Sequence, residues 1–490
     1  MVETRQLFGR RVIYTDEVEI TSKNLISVLT AATTHFYANR NEIDYLFEYY
    51  KGKQPILGRT KQIRPEILYN LVENSANEIV SFKTGYLMGE PIQYVSRSKK
   101  DDLVDEIEHL NNFMYSEEKA SKDKELADWQ HIAGTAYRIT LPRVDIEDSP
   151  FETYVIDPRN AFVIYRNSYE KTPLAGVSYV KRANGRELFS VYTDKMYYEV
   201  GLSRNGGDQV DWGGSQISSA TPHTLGMIPI IEYPANEARL GAFEIVIPLL
   251  DAINTVASNR SEGVEQFVQS LLVLKGMDLS ENEYDSLMAK GGIRVPVEGD
   301  VKLLTGELNQ AQTQTLVDHM YQTVLTICGM PNRNGGSSTS DTGSAVIMRD
   351  GWSAAEARAK DSEMLFKRSE KQFLRLVLRI MRDMSGIELG LSDVEIRFTR
   401  RNYENIMEKS QVLITMLGSP RVHPELAFEA SGLFVDPNIA YMKSKEWWES
   451  NESINTGSDP EDIGNLDSGE LGRDPQEEER NSDSGDDSES

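Results

Sequence analysis

Over most of the chain, apolar residues recur at spacings of three and four, the mark of helices that bury one face. The spacing predicts helices over 41–51, 64–88, 101–118 and 124–136. In the second of these, Ile67, Leu68, Leu71, Val72, Ile79 and Val80 mark the buried side. Pro65 suits its first turn and Gly89 its stop. In the third, Leu103, Ile107, Leu110 and Met114 form one stripe. Strands are expected at 91–96 and 137–144.

From 151 to 200 the period changes to two, and the residues are rich in Tyr, Ile, Val and Phe. Two runs flank Asn184-Gly185, a strong hairpin signal, so the region reads as antiparallel sheet. The Gly/Ser-rich stretch 201–223 reads as an exposed loop. A helix follows over 242–268, with Val246, Leu250, Ile253, Ala257, Val264 and Val268 in register. Pro248 either occupies its first turn or kinks it. Residues 269–309 read as a small α/β insert: LLVLKG, a short helix at 281–290, then IRVPVEGDVKLL.

A second helix is predicted at 310–328, then a polar loop, then a helix of about forty residues over 345–385. At about 1.5 Å per residue the long helix would reach about 60 Å. Phe366, Phe373, Val377, Ile380 and Met384 form its packing seam, and Gly386 suits its stop. A strand at 394–399 and helices at 403–417, 424–430 and 437–448 complete the pattern. The class is α+β, mainly α.

Composition narrows the chemistry. The 490 residues carry a formal charge of −25. The last forty, 451–490, hold 14 acidic and 2 basic residues and almost no apolar ones. That tail is expected to be disordered. So acidic a chain is poorly suited to gripping nucleic acid through broad phosphate contacts, which need Lys/Arg clusters. A channel through which DNA slides without sticking is compatible with it. The lone cysteine, Cys328, excludes an internal disulfide. No apolar run approaches the 18 or more residues of a membrane span, and the N-terminus lacks the apolar segment of a signal peptide.

The six histidines are not spaced as metal ligands, and neither a GxSxG elbow nor a GxxxxGK[ST] phosphate loop is present. No catalytic residue, metal or cofactor is expected. The residues that draw attention lie in the polar loop 331–344: Arg333, Asn334, Gly335, Gly336, Ser337, Ser338, Thr339, Ser340 and Asp341. Its glycines permit backbone states closed to other residues, and its Ser/Thr run offers no apolar anchor. Composition alone allows a plain linker. Its place between two helices, one too long for a compact domain, points instead to the working bend of a tall ring around a DNA channel.

The order of these parts resembles the portal proteins of tailed double-stranded DNA bacteriophages, most closely those of long-tailed phages of Gram-positive hosts. The likeness spans about 25–450. It is carried by EYYKGKQPIL, AGTAYRI, VIDPRNAFVIY, then IPIIEYPANEARLGAFEIVIPLLDAINTVASNRSEGVEQF, and finally the MPN loop with SAVIMRDGWSAAEARAKDSEMLFKRSEKQF. The resemblance implies a portal fold and a homododecameric ring at one capsid vertex. It implies a wing at 1–239, stem helices at 240–268 and 310–330, and a clip at 269–309. It further implies a channel loop at 331–344, a long wing-to-crown helix at 345–385 and a crown at 386–449, leaving the acidic tail at 450–490 unexplained. The partners it implies are double-stranded DNA in the channel, the terminase large subunit, head–tail connector or adaptor proteins, and the major capsid and scaffolding proteins, without a membrane. The protein would assemble in the host cytoplasm and reside in the virion. Two other classes stay open on the residues alone: another capsid or scaffold protein, and a DNA-processing enzyme.

Overall fold

The computed structural model describes residues 9–62, 65–97, 103–143, 148–183, 186–202, 216–269 less its last residue, 271–275, 300–304, 310–332, 351–399, 406–434 and 436–455. The chain divides into two compact units, 1–403 and 404–490. The division falls inside the expected 386–449 region.

In the first unit, a six-stranded sheet has the order β1 (Ile13–Thr15), β5 (Ala161–Arg166), β6 (Pro173–Lys181), β7 (Glu187–Tyr192), β8 (Met196–Leu202), β9 (Gln216–Pro222). β1 pairs parallel with β5 and the remaining neighbours are antiparallel. The β6–β7 pair closes at Lys181 opposite Glu187, as the hairpin signal predicts, while Asn184 and Gly185 lie outside the described residues. β9 corrects the expected loop at 201–223. It is an edge strand with a mostly exposed burial pattern, so its sequence lacks the apolar alternation that marks a half-buried strand. Helix α1 (Leu25–Tyr50) covers the sheet and is much longer than the expected 41–51. Its Phe36 ring lies 4.7 Å from Phe162 and 5.5 Å from Tyr179.

The expected helix at 64–88 shrinks to α2 (Ser75–Leu87). The preceding residues run without helix because their amides are used elsewhere. Tyr69, Leu71 and Glu73 donate their N–H groups to Glu262, Ser258 and Asn254, at 3.3, 3.0 and 2.8 Å. Alternate amides of a non-helical segment thus match side chains one helical turn apart on α5 (Ile247–Val268).

β2 (Gln93–Ser96) and α3 (Val104–Ser116) follow the expected order, with Ile107, Leu110 and Met114 buried. Helix α4 (Lys119–Ala133) ends three residues before its expected limit. Gly134 takes a left-handed φ of 79°, and a Cβ there would sit 2.0 Å from the Arg239 carbonyl oxygen. The turn leads into β3 (Thr135–Pro142), the centre of a three-stranded sheet between β10 (Ile230–Pro234) and β4 (Phe151–Ile156).

The long helix, here α7 (Trp352–Ser385), lies across this sheet. Its Phe366, Phe373, Leu374, Val377, Ile380 and Met381 share a core with Tyr94, Ile107, Leu110, Phe151 and Tyr233. It has 34 residues with Gly351, φ 81°, at its N-cap, and residues 345–350 of the expected span lie outside the described residues. Its C-terminal end is as read: Gly386, φ 68°, donates to the Arg382 carbonyl. β13 (Val394–Arg397) then pairs antiparallel with β2, shorter than the expected 394–399.

Between α7 and this sheet lies a fully buried charge cluster. Glu370 accepts from Lys119 Nζ at 2.8 Å, Arg138 Nη1 at 3.2 Å, Tyr94 OH at 2.5 Å and Tyr233 OH at 2.8 Å. Asp123 takes the other side of Lys119, at 2.5 Å, and of Arg138. Two cations and two carboxylates balance, which is how charge survives in a core.

The second unit contains α8 (Ile406–Leu417), α9 (Pro424–Ser431) and α10 (Pro437–Asn455). Phe428 on α9 lies 5.2 Å from Phe434 and 5.8 Å from Tyr441 of α10. α10 extends the expected 437–448 and carries helix into the first residues of the expected disordered tail.

Candidate functional site

All nine residues singled out in the loop, Arg333, Asn334, Gly335, Gly336, Ser337, Ser338, Thr339, Ser340 and Asp341, lie outside the described residues. The expected short helix at 281–290 also lies outside them. The structure describes the scaffold that carries both segments.

That scaffold is a helix pair. α5 begins with Pro248 in its first turn, where its missing N–H costs nothing. α6 (Gln310–Cys328) matches its expected span. The two run antiparallel: Leu250 and Ile253 pack with Val324, Leu325 and Cys328 at one end, and Arg260 donates to Gln314 farther along. Beyond them β11 (Leu271–Lys275) and β12 (Asp300–Leu304) pair antiparallel, Leu271 opposite Leu304. The described parts of the expected α/β insert are thus two paired strands, and residues 276–299 between them lie outside the described residues.

α6 ends in a Schellman motif. Gly329, φ 66°, donates to Thr326 O, and Met330 N–H reaches back to Leu325 O at 2.8 Å. Met330 and Leu325 are both buried, which supplies the apolar contact of that motif. Arg358, almost two turns into α7, donates to the Ile327 carbonyl at 3.2 Å. Its side chain fills the space beside Gly329, where a Cβ would meet Arg358 Cδ at 2.6 Å. The α7 side is equally held. Trp352 packs 6.1 Å from Phe82 and 6.0 Å from Tyr86, and Tyr86 OH donates to Glu356 at 2.8 Å.

The two anchorages meet. A Cβ on Gly351 would lie 3.8 Å from the Pro331 Cα. The chain therefore leaves the end of α6 and re-enters at the start of α7 at nearly the same point. The segment between them starts and finishes on one rigid footing.

Beneath this footing, Lys83, His131, Cys328 and Arg358 gather among α2, α4, α6 and α7. Burial pulls the Lys83 ammonium below its ordinary value, and the Arg358 charge adds to that. Burial also brings the His131 imidazole down to about 3, with Lys83 contributing, so it is neutral at pH 7. Thr84 Oγ1 lies 3.0 Å from its Nδ1. Burial pushes the Cys328 thiol up to about 11, against the pull of Lys83 and Arg358, so it is a poor nucleophile. This group seals a helix junction. Among the described residues no set of three His, Cys, Asp or Glu is placed to hold a metal. Sequence reading missed Arg358, Tyr86 and Lys83, because nothing local distinguishes them from surface residues. Gly351 is the one glycine of the expected 345–385 helix, and the described helix begins directly after it.

The chain is similar to known proteins over most of its length. The profile of the family described as phage portal protein, SPP1 Gp6-like, matches residues 31–446. The portal protein of Bacillus phage SPP1 is 22% identical over 394 residues, covering 75% of this chain and 74% of that one. A chain of the solved structure titled "Neck of empty GTA particle computed with C6 symmetry" aligns at a TM-score of 0.41 with 10% identity, covering 73% of this chain and 90% of that one.

Proposed function

The chain belongs to the SPP1 Gp6-like family of phage portal proteins, and from that premise we propose that copies of it form a ring-shaped channel at one capsid vertex. DNA enters through this channel during packaging and leaves through it at ejection. The family is one of structural proteins, and we assign the chain no catalytic step. Force for packaging is supplied by a partner that hydrolyses ATP, the terminase large subunit docked on the ring. Head–tail connector proteins bind later, and capsid and scaffolding proteins surround the ring during assembly.

Within the ring, the stem is the α5–α6 pair and the clip is the insert at 269–309. The wing is the two-sheet region, the crown begins near 386, and the segment 331–344 is the channel loop. The observation that supports the loop assignment most is the meeting of Pro331 and Gly351. Both ends of the segment are held at the same junction of α6 and α7, so substitutions within it should leave the helices that carry it in place. DNA carries about one negative charge per 1.7 Å. With Arg333 as the one cation in 331–344, contacts through Asn, Ser, Thr and backbone amides are weak and exchangeable. They suit a sleeve or valve rather than a motor.

The test is a complementation assay that scores assembled heads and packaged genome length separately. Replacing Gly335 and Gly336 with alanine should leave heads assembled but reduce packaged or retained DNA. Normal packaging by stiffened, shortened and Arg333-substituted loops alike would mean that 331–344 is only a linker.

A further inference from the structure

Helix α7 carries a basic face on this acidic chain. On α7, Arg368, Lys371, Arg375, Arg379 and Arg382 follow one another at spacings of three and four, so they share one side of the helix over about 21 Å. Their neutralisation is thin. Arg368 is 4.0 Å from an exposed Glu237, and Arg379 and Arg382 share Asp383 at 3.7 and 3.1 Å. Among the described residues Lys371 and Arg375 form no ion pair.

The C-terminal part of this face borders an open groove of about 640 Å³. Arg375, Arg379 and Arg382 form its rim, with Glu388 the carboxylate on the lining. Its floor is apolar: Met227, Leu378, Leu389 and Leu391. Leu378 and Leu389 are largely buried there, so the groove is shaped by the core and not by loose side chains. Arg379 lies over Gly226, where a Cβ would meet its Nη1 at 2.5 Å, and it donates to the Thr224 carbonyl at 3.3 Å. Such a groove suits an extended segment that alternates carboxylates with aliphatic residues.

The chain contains one. Residues 456–490 hold 13 acidic and 2 basic residues, and within them the run Glu461-Asp462-Ile463-Gly464-Asn465-Leu466-Asp467-Ser468-Gly469-Glu470-Leu471 spaces Ile463, Leu466 and Leu471 between acids. This tail lies beyond the part shared with the family profile, which ends at 446. Its 35 residues could extend to about 120 Å, so reach does not limit it. We propose that the groove along Arg375, Arg379 and Arg382 is a docking site for the acidic tail of this chain. The tail thereby screens this cationic face from other polyanions until a competitor displaces it. This goes beyond the portal reading and does not depend on it.

The test uses the full chain with a dye on Ser468→Cys, followed by time-resolved anisotropy. The native Cys328 is buried and its thiol is raised to about 11, so it stays unlabelled at neutral pH. The dye should be held at low salt and released at about 1 M NaCl, where the Debye length is about 3 Å. Arg375→Glu with Arg382→Glu should release it at low salt, and Arg375→Lys with Arg382→Lys should retain it. Replacing Asp462, Asp467 and Glu470 by amides should also release it, in a fold left untouched. A dye equally mobile, or equally held, in all of these overturns the proposal. So does tight binding of duplex DNA with the dye unmoved, which would give the face to DNA. A change of assembly mass in the Glu variant with the dye unmoved would give it to a neighbouring copy and overturn the proposal as well.

Discussion

Arg138 donates through Nη1 to Oε2 of Glu370 across 3.2 Å, with both side chains fully buried. The contact ties the centre of the three-stranded sheet to the middle of the long helix, 232 residues later. Glu370 is the shared acceptor of two cations and two tyrosines. Replacing it with alanine leaves two buried cations facing Asp123 alone, which should cost about 3–5 kcal/mol. The double variant Arg138→Met with Glu370→Met removes one charge of each sign and keeps the Lys119–Asp123 pair. It should recover much of that loss. Urea unfolding of the three proteins checks this, and a double variant less stable than Glu370→Ala would contradict it.

Two buried groups shape stability in acid. His131 is brought by burial to about 3, against about 6.5 in an unfolded chain. Between those values the unfolded chain takes up a proton that the folded chain refuses. Stability therefore falls as pH drops through that window, by about 1.4 kcal/mol per unit. For Glu370, burial raises the carboxyl, but Lys119 and Arg138 outweigh it and bring it to about 2. Its contribution is complete above about pH 4.3 and is lost as pH falls towards 2. The stability difference between the native chain and His131→Gln should therefore shrink from pH 7 towards pH 4. Urea midpoints across that range give the answer, and a constant difference would count against a buried neutral imidazole.

Two glycines should respond differently to alanine. Gly351 has φ 81° but only the Pro331 Cα, at 3.8 Å, near its missing Cβ. Gly351→Ala should cost only the left-handed backbone penalty of about 1–2 kcal/mol. Gly134 has φ 79° and would drive a methyl to 2.0 Å from a backbone oxygen. Gly134→Ala should be far more destabilising, with little soluble folded protein. Thermal melts and expression of the two variants compare them, and equal losses would refute the contrast.

Asn254, Ser258 and Glu262 form a ladder on α5 that holds the backbone of residues 69–73. Ser258→Ala leaves the Leu71 N–H without its acceptor, a loss of about 1–3 kcal/mol. Hydrogen exchange should quicken first at the amides of Tyr69, Leu71 and Glu73. Unchanged exchange there would show that the ladder contributes nothing to holding this segment.

This ladder also shows what local sequence conveys and what it withholds. The span of α6 was legible because its apolar spacing runs uninterrupted to Gly329. The end of the long helix was legible because Gly386 stops it in the left-handed region. Ile67, Leu68, Leu71 and Val72 carry helical spacing just as clearly, yet form no helix. Their amide acceptors lie more than 180 residues away on α5, and no local pattern reports them. β1 has three residues and β9 is an exposed edge, so neither leaves a periodic trace. For the candidate site, composition marked the loop and the helices around it. Its footing, from Arg358 to Ile327 O and from Gly351 to Pro331, arises only when α6 and α7 pack together.

The central claim is that copies of this chain close into a ring around a DNA-sized channel. Exposed apolar residues on α5 and α6, Val264 at 43% and Leu316 at 50%, fit helices that meet further copies of themselves. The most direct measurement is the mass of the purified assembly together with its symmetry in single-particle images. The account predicts a mass near twelve or thirteen times the 55.3 kDa chain and a ring with an open centre wide enough for a duplex. A protein that stays monomeric at every concentration and salt, or that assembles without a central opening, would contradict it.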